Sequence, residues 1–146
     1  IAAASQEEIE REIYTTGFYH NKARNLRACA QALLLRFGGT VPDEMEALLT
    51  LPGVGRKTAN LILGEIYRKP SIVVDTHVKR VSRRLGLVTA TDPTKVEAEL
   101  KTVLPESFWI LWNTRLMALG RTYCTAKAPN CAACYLSDLC PRVGVE

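Results

Sequence analysis

Leu51-Pro52-Gly53-Val54-Gly55-Arg56-Lys57-Thr58-Ala59 reads as a turn that closes one helix and opens the next. Pro52 fixes one dihedral angle of the turn. Gly53 and Gly55 admit positive φ and carry no Cβ to hold a ligand away. The turn therefore offers backbone N–H groups at a helix start, an anion site suited to a phosphate. For a bare Pro-Gly-x-Gly, a tight inter-helix turn without a ligand is the better account. The whole nonamer favours phosphate binding by Gly53, Val54, Gly55 and Arg56. Lys57 falls in the first helical turn, where the positive end of the macrodipole favours a neutral, nucleophilic amine. The plainer reading makes it one more phosphate contact.

Upstream, apolar spacing and caps predict three helices. Ser5 and Glu8 form a capping box that starts a helix carrying Ile9, Ile13 and Tyr14. Asn21 through Phe37 carries Leu26, Ala30, Leu33, Leu34 and Phe37 and stops at Gly38-Gly39. A short acidic helix, Asp43 to Leu49, follows Pro42. Gly17-Phe18-Tyr19-His20-Asn21-Lys22-Ala23 echoes the hairpin segment, as a second helix–turn–helix unit or by chance. Phe18 at the tip of this loop reads either as a wedge for a base stack or as a buried aromatic. His20 and Lys22 are candidate DNA contacts.

Downstream, Gly55 to Tyr67 continues as a helix until Arg68-Lys69-Pro70. Ile72-Val73-Val74 is β-branched but too short for a strand. Asp75 reads as the N-cap of a helix ending at Gly86, and Asp92 with Pro93 starts another. Pro105 opens a last long helix ending near Gly120, with Phe108, Trp109, Leu111, Trp112, Leu116 and Leu119 on its core pattern. The fold class is all-α, in two lobes, residues 1–69 and 70–146.

The chain has 146 residues and a net charge of +4, compatible with nucleic acid without demanding it. It holds no apolar run long enough for a bilayer and no signal peptide. It opens on Ile1 without a methionine, which predicts that N-terminal helices of a longer protein are absent. Lys79, Arg80, Arg83 and Arg84 form a basic run, either a stripe that tracks phosphates or a solvated helix face.

Cys124, Cys131, Cys134 and Cys140 stand at spacing C-x6-C-x2-C-x5-C in a segment with little room for regular structure. Four thiols so close bind zinc or an iron–sulfur cluster, or form disulfides. One C-x2-C with two longer gaps suits a compact cluster better than zinc. Lys127, Arg142 and Arg121 in or beside this loop are candidate phosphate contacts. Cys29, inside a helical pattern, reads as a small apolar residue without chemistry.

The hairpin nonamer, then Val74-Asp75-Thr76-His77-Val78, then the four-cysteine spacing, resemble the endonuclease III family of helix–hairpin–helix DNA glycosylases. The match runs in order over essentially the whole chain. The resemblance implies a helix–hairpin–helix glycosylase fold with a C-terminal cluster loop. It implies Lys57 as catalytic nucleophile, Asp75 as the second catalytic residue, and the four cysteines as ligands of a [4Fe-4S] cluster. The implied activity is removal of oxidised pyrimidines from damaged double-stranded DNA, with strand cleavage 3′ to the abasic site. The implied setting is a monomer beside the nucleoid in a bacterial cytoplasm, off the membrane. Mismatch glycosylases of the same superfamily generally lack the lysine. A non-catalytic DNA-binding module with a structural cluster is the alternative from another class. An iron–sulfur electron carrier would leave the hairpin unexplained. His77 takes no catalytic role in this reading.

Overall fold

A computed structural model describes residues 1–145. Among these the regular structure is entirely helical. The helices are α1 (Gln6–Ile13), α2 (Tyr19–Phe37), α3 (Met45–Leu49), α4 (Arg56–Glu65), α5 (Thr76–Arg84), α6 (Pro93–Val103) and α7 (Trp109–Thr122). A 3-10 turn, Glu106–Phe108, precedes α7. The chain divides into two compact units, Ile1–Ala59 and Asn60–Glu146. None of the helices is long and apolar enough to cross a membrane.

In the first unit, the Ser5 hydroxyl accepts from Glu8 N–H at 3.1 Å while the Glu8 carboxylate accepts from Ser5 N–H at 2.8 Å. This reciprocal pair starts α1 as its sequence dictates. α1 packs on α2, and Ile9, Ala23, Leu48, Leu51 and Ala59 are buried. α2 ends at Gly38, whose left-handed φ of 58° is the ordinary helix stop. The echo between the two glycine segments does not extend to backbone geometry. In the hairpin Gly53 takes positive φ, whereas in the upstream loop Gly17 does not and the neighbouring Phe18 does.

In the second unit, Ile72, Val74, Val78, Val81, Val88, Val96, Leu100, Leu116 and Leu119 form one apolar core. Residues 72–74 are buried outside any regular element, so their β-branched side chains serve the core and not a sheet. Asp75 and Asp92 cap α5 and α6 as expected. α7 starts at Trp109 and not at Pro105, because the 3-10 turn intervenes, with Phe108 N–H donating to Pro105 C=O at 2.9 Å. Trp109 and Trp112 pack against the core, and their indole N–H groups donate to Leu104 C=O at 3.0 Å and Ser82 Oγ at 3.4 Å. Phe108 and Leu111 depart from the expected core pattern and are exposed. Cys29 is partly buried, and that burial pushes its thiol up.

Candidate functional site

The hairpin is built from short local bonds. Leu51 N–H donates to Leu48 C=O and Val54 N–H to Leu51 C=O, each at 3.1 Å. Gly53 turns the chain at φ 75°. A Cβ there would also meet Asn25 Cβ at 2.8 Å, so glycine is required twice over. Gly55 differs. Its φ is not positive, and a Cβ there would meet nothing within 4 Å. Space within the fold therefore does not exclude a side chain at 55. α4 begins at Arg56. Gly55, Arg56 and Lys57 are all exposed.

Phe18 stands at the N-cap of α2 in the left-handed region, φ 58°, with 86% of its surface exposed. It is therefore not the buried aromatic that the sequence also allowed. His20 is exposed, and its Nδ1 lies 2.8 Å from Glu10 Oε2. Side-chain hydrogen bonds from Gln6 and then His20 hold the Glu10 carboxyl below its usual range. Lys22, one turn into α2, is exposed.

In the second unit, Asp75 is half-buried, and its Oδ1 accepts from Val78 N–H at 2.7 Å. The cap fixes the carboxylate at the positive end of α5. His77 faces α7, and its Nδ1 lies 3.1 Å from Arg80 Nη2. A Cβ at Gly120 would stand 2.7 Å from His77 Nδ1 and 2.9 Å from Arg80 Nη2, so α5 and α7 meet where only glycine fits.

Cys124, Cys131, Cys134 and Cys140 are half-buried free thiols that line one small pocket, together with Val81 and Leu119. Among the described residues, no three His, Cys, Asp or Glu side chains are gathered so as to hold a metal ion. A single zinc ion draws four sulfurs to about 2.3 Å from one centre. Four thiols lining one pocket are a donor set that suits zinc or an iron–sulfur cluster.

Two of the four residues in the basic run on α5, Arg80 and Arg84, are engaged within the protein. Arg80 Nε and Nη2 donate to Cys124 C=O at 3.1 and 3.0 Å, and Nη2 also donates to Gly120 C=O at 3.0 Å. Arg84 reaches Thr125 C=O at 2.6 Å and Ala126 C=O at 3.0 Å. Both arginines cap carbonyls at the end of α7 and the start of the cysteine loop, groups left without a helical partner. Sequence reasoning missed them because their partners lie some forty residues away. The one local clue was their i, i+4 spacing. Arg83 alone of the four is exposed. Arg121 in the last turn of α7 and Lys127 in the loop are exposed, while Arg142 donates to Ser137 Oγ at 2.8 Å.

The sequence pattern of the HhH-GPD superfamily of base excision DNA repair proteins matches residues 1–106. Endonuclease III of Synechocystis sp. is 44% identical over 97% of this chain, which spans 65% of that protein. A trapped covalent intermediate of endonuclease III with DNA, an estranged-adenine complex, superposes with a TM-score of 0.90 at 39% identity. That match covers 97% of this chain and 67% of the other. A thermostable thymine-DNA glycosylase gives a TM-score of 0.81 at 26% identity, over 95% of this chain and 66% of the other.

Proposed function

Since the chain belongs to the HhH-GPD superfamily of base excision DNA repair proteins, we propose that it is the hairpin- and cysteine-bearing part of a bifunctional DNA glycosylase. It removes oxidised pyrimidines and cleaves the strand at the abasic site. The observation that carries this reading is the pairing of Gly55 with Lys57. One is an exposed glycine whose Cβ position is open, and the other is an exposed amine two residues on, in the first turn of α4.

In this reading Gly53, Val54, Gly55 and Arg56 take a phosphate of damaged double-stranded DNA. The target nucleotide leaves the stack, because its sugar carbon is out of reach inside the duplex. Phe18, with His20 and Lys22 beside it, occupies the opened stack and its flanking phosphates. The Lys57 amine attacks the sugar C1′ and forms a C–N bond as the bond to the base breaks, the electron pair leaving with the base. Loss of a proton from the nitrogen and opening of the sugar ring follow. The C1′–O4′ bond breaks, its electron pair and a proton go to O4′, and C1′ and the lysine nitrogen are left joined as a Schiff base. Abstraction of a proton from C2′ then expels the 3′ phosphate by β-elimination. Asp75 supplies a fixed anion that stabilises the positive sugar and accepts a proton from the amine.

Cys124, Cys131, Cys134 and Cys140 would hold a [4Fe-4S] cluster, which when bound supplies a rigid tie for the loop that carries Lys127. The protein acts as a monomer beside the nucleoid of a bacterial cell. The lysine separates this reading from that of a mismatch-specific glycosylase, which the similarity to a thymine-DNA glycosylase keeps in view.

The test is borohydride trapping on duplex DNA bearing thymine glycol or an abasic site. A covalent protein–DNA adduct forms, and Lys57→Ala abolishes it. Binding without an adduct, in the intact protein as well as in this chain, would leave a DNA-holding module with no chemistry.

A further inference from the structure

Arg84 bonds to both ends of the cysteine segment. Its Nη1 donates to Cys124 Sγ at 3.4 Å, and the same guanidinium holds the carbonyls of Cys124, Thr125 and Ala126. Its own carbonyl accepts from the Cys140 thiol at 3.4 Å and from Val143 N–H at 3.1 Å. The first and last cysteines of the motif are thus tied to one residue. That residue closes α5, whose Val78 and Val81 are fully buried and whose packing partner is α7. Arg80 also grips the loop, but only through carbonyl oxygen.

Ordering a loop that carries four ligands costs chain entropy, and a residue that orders it beforehand lowers the cost of loading it. A planar guanidinium is suited to this, since its donors sit in a fixed fork. A donor on a ligand sulfur also withdraws electron density from it.

The geometry points to Arg84 as the positioning residue of the cysteine centre. Its side chain presets the first thiol and the loop that follows it, and its N–H group tunes the sulfur of Cys124. This rests on the iron–sulfur reading given above.

The experiment compares the wild-type protein with Arg84→Met and Arg84→Lys, each purified with its metal. It measures iron per chain, the position of the visible sulfur-to-iron absorption, and the rate at which an iron chelator bleaches it. Loss of a hydrogen bond to a metal ligand typically weakens a site about 10- to 100-fold. Arg84→Met should therefore bleach about tenfold faster with a shifted band. Arg84→Lys keeps the charge but not the fork, and should bleach at an intermediate rate. Lys127→Met, on the exposed part of the same loop, should match wild type. A wild-type rate and an unshifted band in Arg84→Met overturn the inference. If that variant does not fold, a wild-type rate in Arg84→Lys does so. A wild-type protein with no iron and no visible band sinks the cluster reading itself, and this inference with it.

Discussion

Asn25 on α2 lies against Gly53 of the hairpin so closely that a Cβ on the glycine would stand 2.8 Å from the asparagine Cβ. The contact braces the turn from the α2 side, while a Cβ on Gly55, two residues on, would meet nothing within 4 Å. The two glycines of one motif therefore do different jobs. Gly53→Ala places a side chain in the left-handed region, at about 1–2 kcal/mol, and adds a clash with a helix-anchored carbon. Its thermal midpoint should fall by several degrees, at about 3 °C per kcal/mol for a chain of this size. Gly55→Ala should unfold within about 0.5 kcal/mol of wild type, yet bind duplex DNA about tenfold more weakly. Calorimetry and a binding titration on the two variants check the division. Equal loss of stability in both would contradict it.

A second prediction concerns Glu97, which is buried to 3% exposure on α6. Its Oε2 accepts from Asn60 Nδ2 at 3.0 Å and its Oε1 from Lys101 Nζ at 2.7 Å. The Asn60 backbone carbonyl accepts from Ser71 Oγ at 2.8 Å. Glu97→Ala strands the buried Asn60 amide, at about 1–3 kcal/mol. The paired change Glu97→Leu with Asn60→Leu removes donor and acceptor together and should recover part of that loss. Urea unfolding of the single and double variants measures the difference. A double variant no more stable than the single one would rule out an unpaired amide as the cause.

Glu99 gives the pH prediction. Its carboxylate accepts from the backbone of Thr89 at 2.7 Å and Ala90 at 3.2 Å, and these bonds hold its carboxyl below the usual range. A depressed carboxyl stabilises the fold above its unfolded-state value and loses that contribution as pH falls through the folded one. Wild type and Glu99→Gln should therefore differ most near neutrality. Their thermal midpoints should converge as pH drops through and below the ordinary glutamate range. A gap that holds constant into acid would show that the charge is not what the loop uses.

The parts of the fold that were legible are those whose partners lie nearby in sequence. Ser5, Asp75 and Asp92 each bond to an amide two or three residues on, so composition and spacing reveal them. The hairpin is likewise written in consecutive residues. The four cysteines could be read as a set, since they fall within one short segment and line one cavity. The roles of Arg80 and Arg84 were not legible, because a guanidinium can face phosphate, water or a distant helix end with the same local pattern. The exposure of Phe108 and Leu111 was hidden for a related reason. Apolar periodicity finds a helix's face, but the 3-10 turn before α7 breaks the period at its start. Gly120 carried no signal at all, since its need arises from His77 and Arg80 across the helix pair.

Phe18 combines strain with exposure, and the two together make the last prediction. A bulky residue at φ 58° costs about 1–2 kcal/mol relative to an ordinary backbone. With 86% of its surface exposed, it recovers little of that by burial. Asn tolerates the left-handed region better, because its short polar side chain bonds locally. Phe18→Asn should therefore keep or raise the unfolding midpoint, by up to about 1 kcal/mol of stability. The same change removes the aromatic surface proposed to fill the stack. Opening of a duplex carrying a fluorescent base beside an abasic site should then slow several-fold. A variant that is both more stable and slower to open DNA fits strain retained at a functional position. One that opens DNA at the wild-type rate would mean that Phe18 has no part in it.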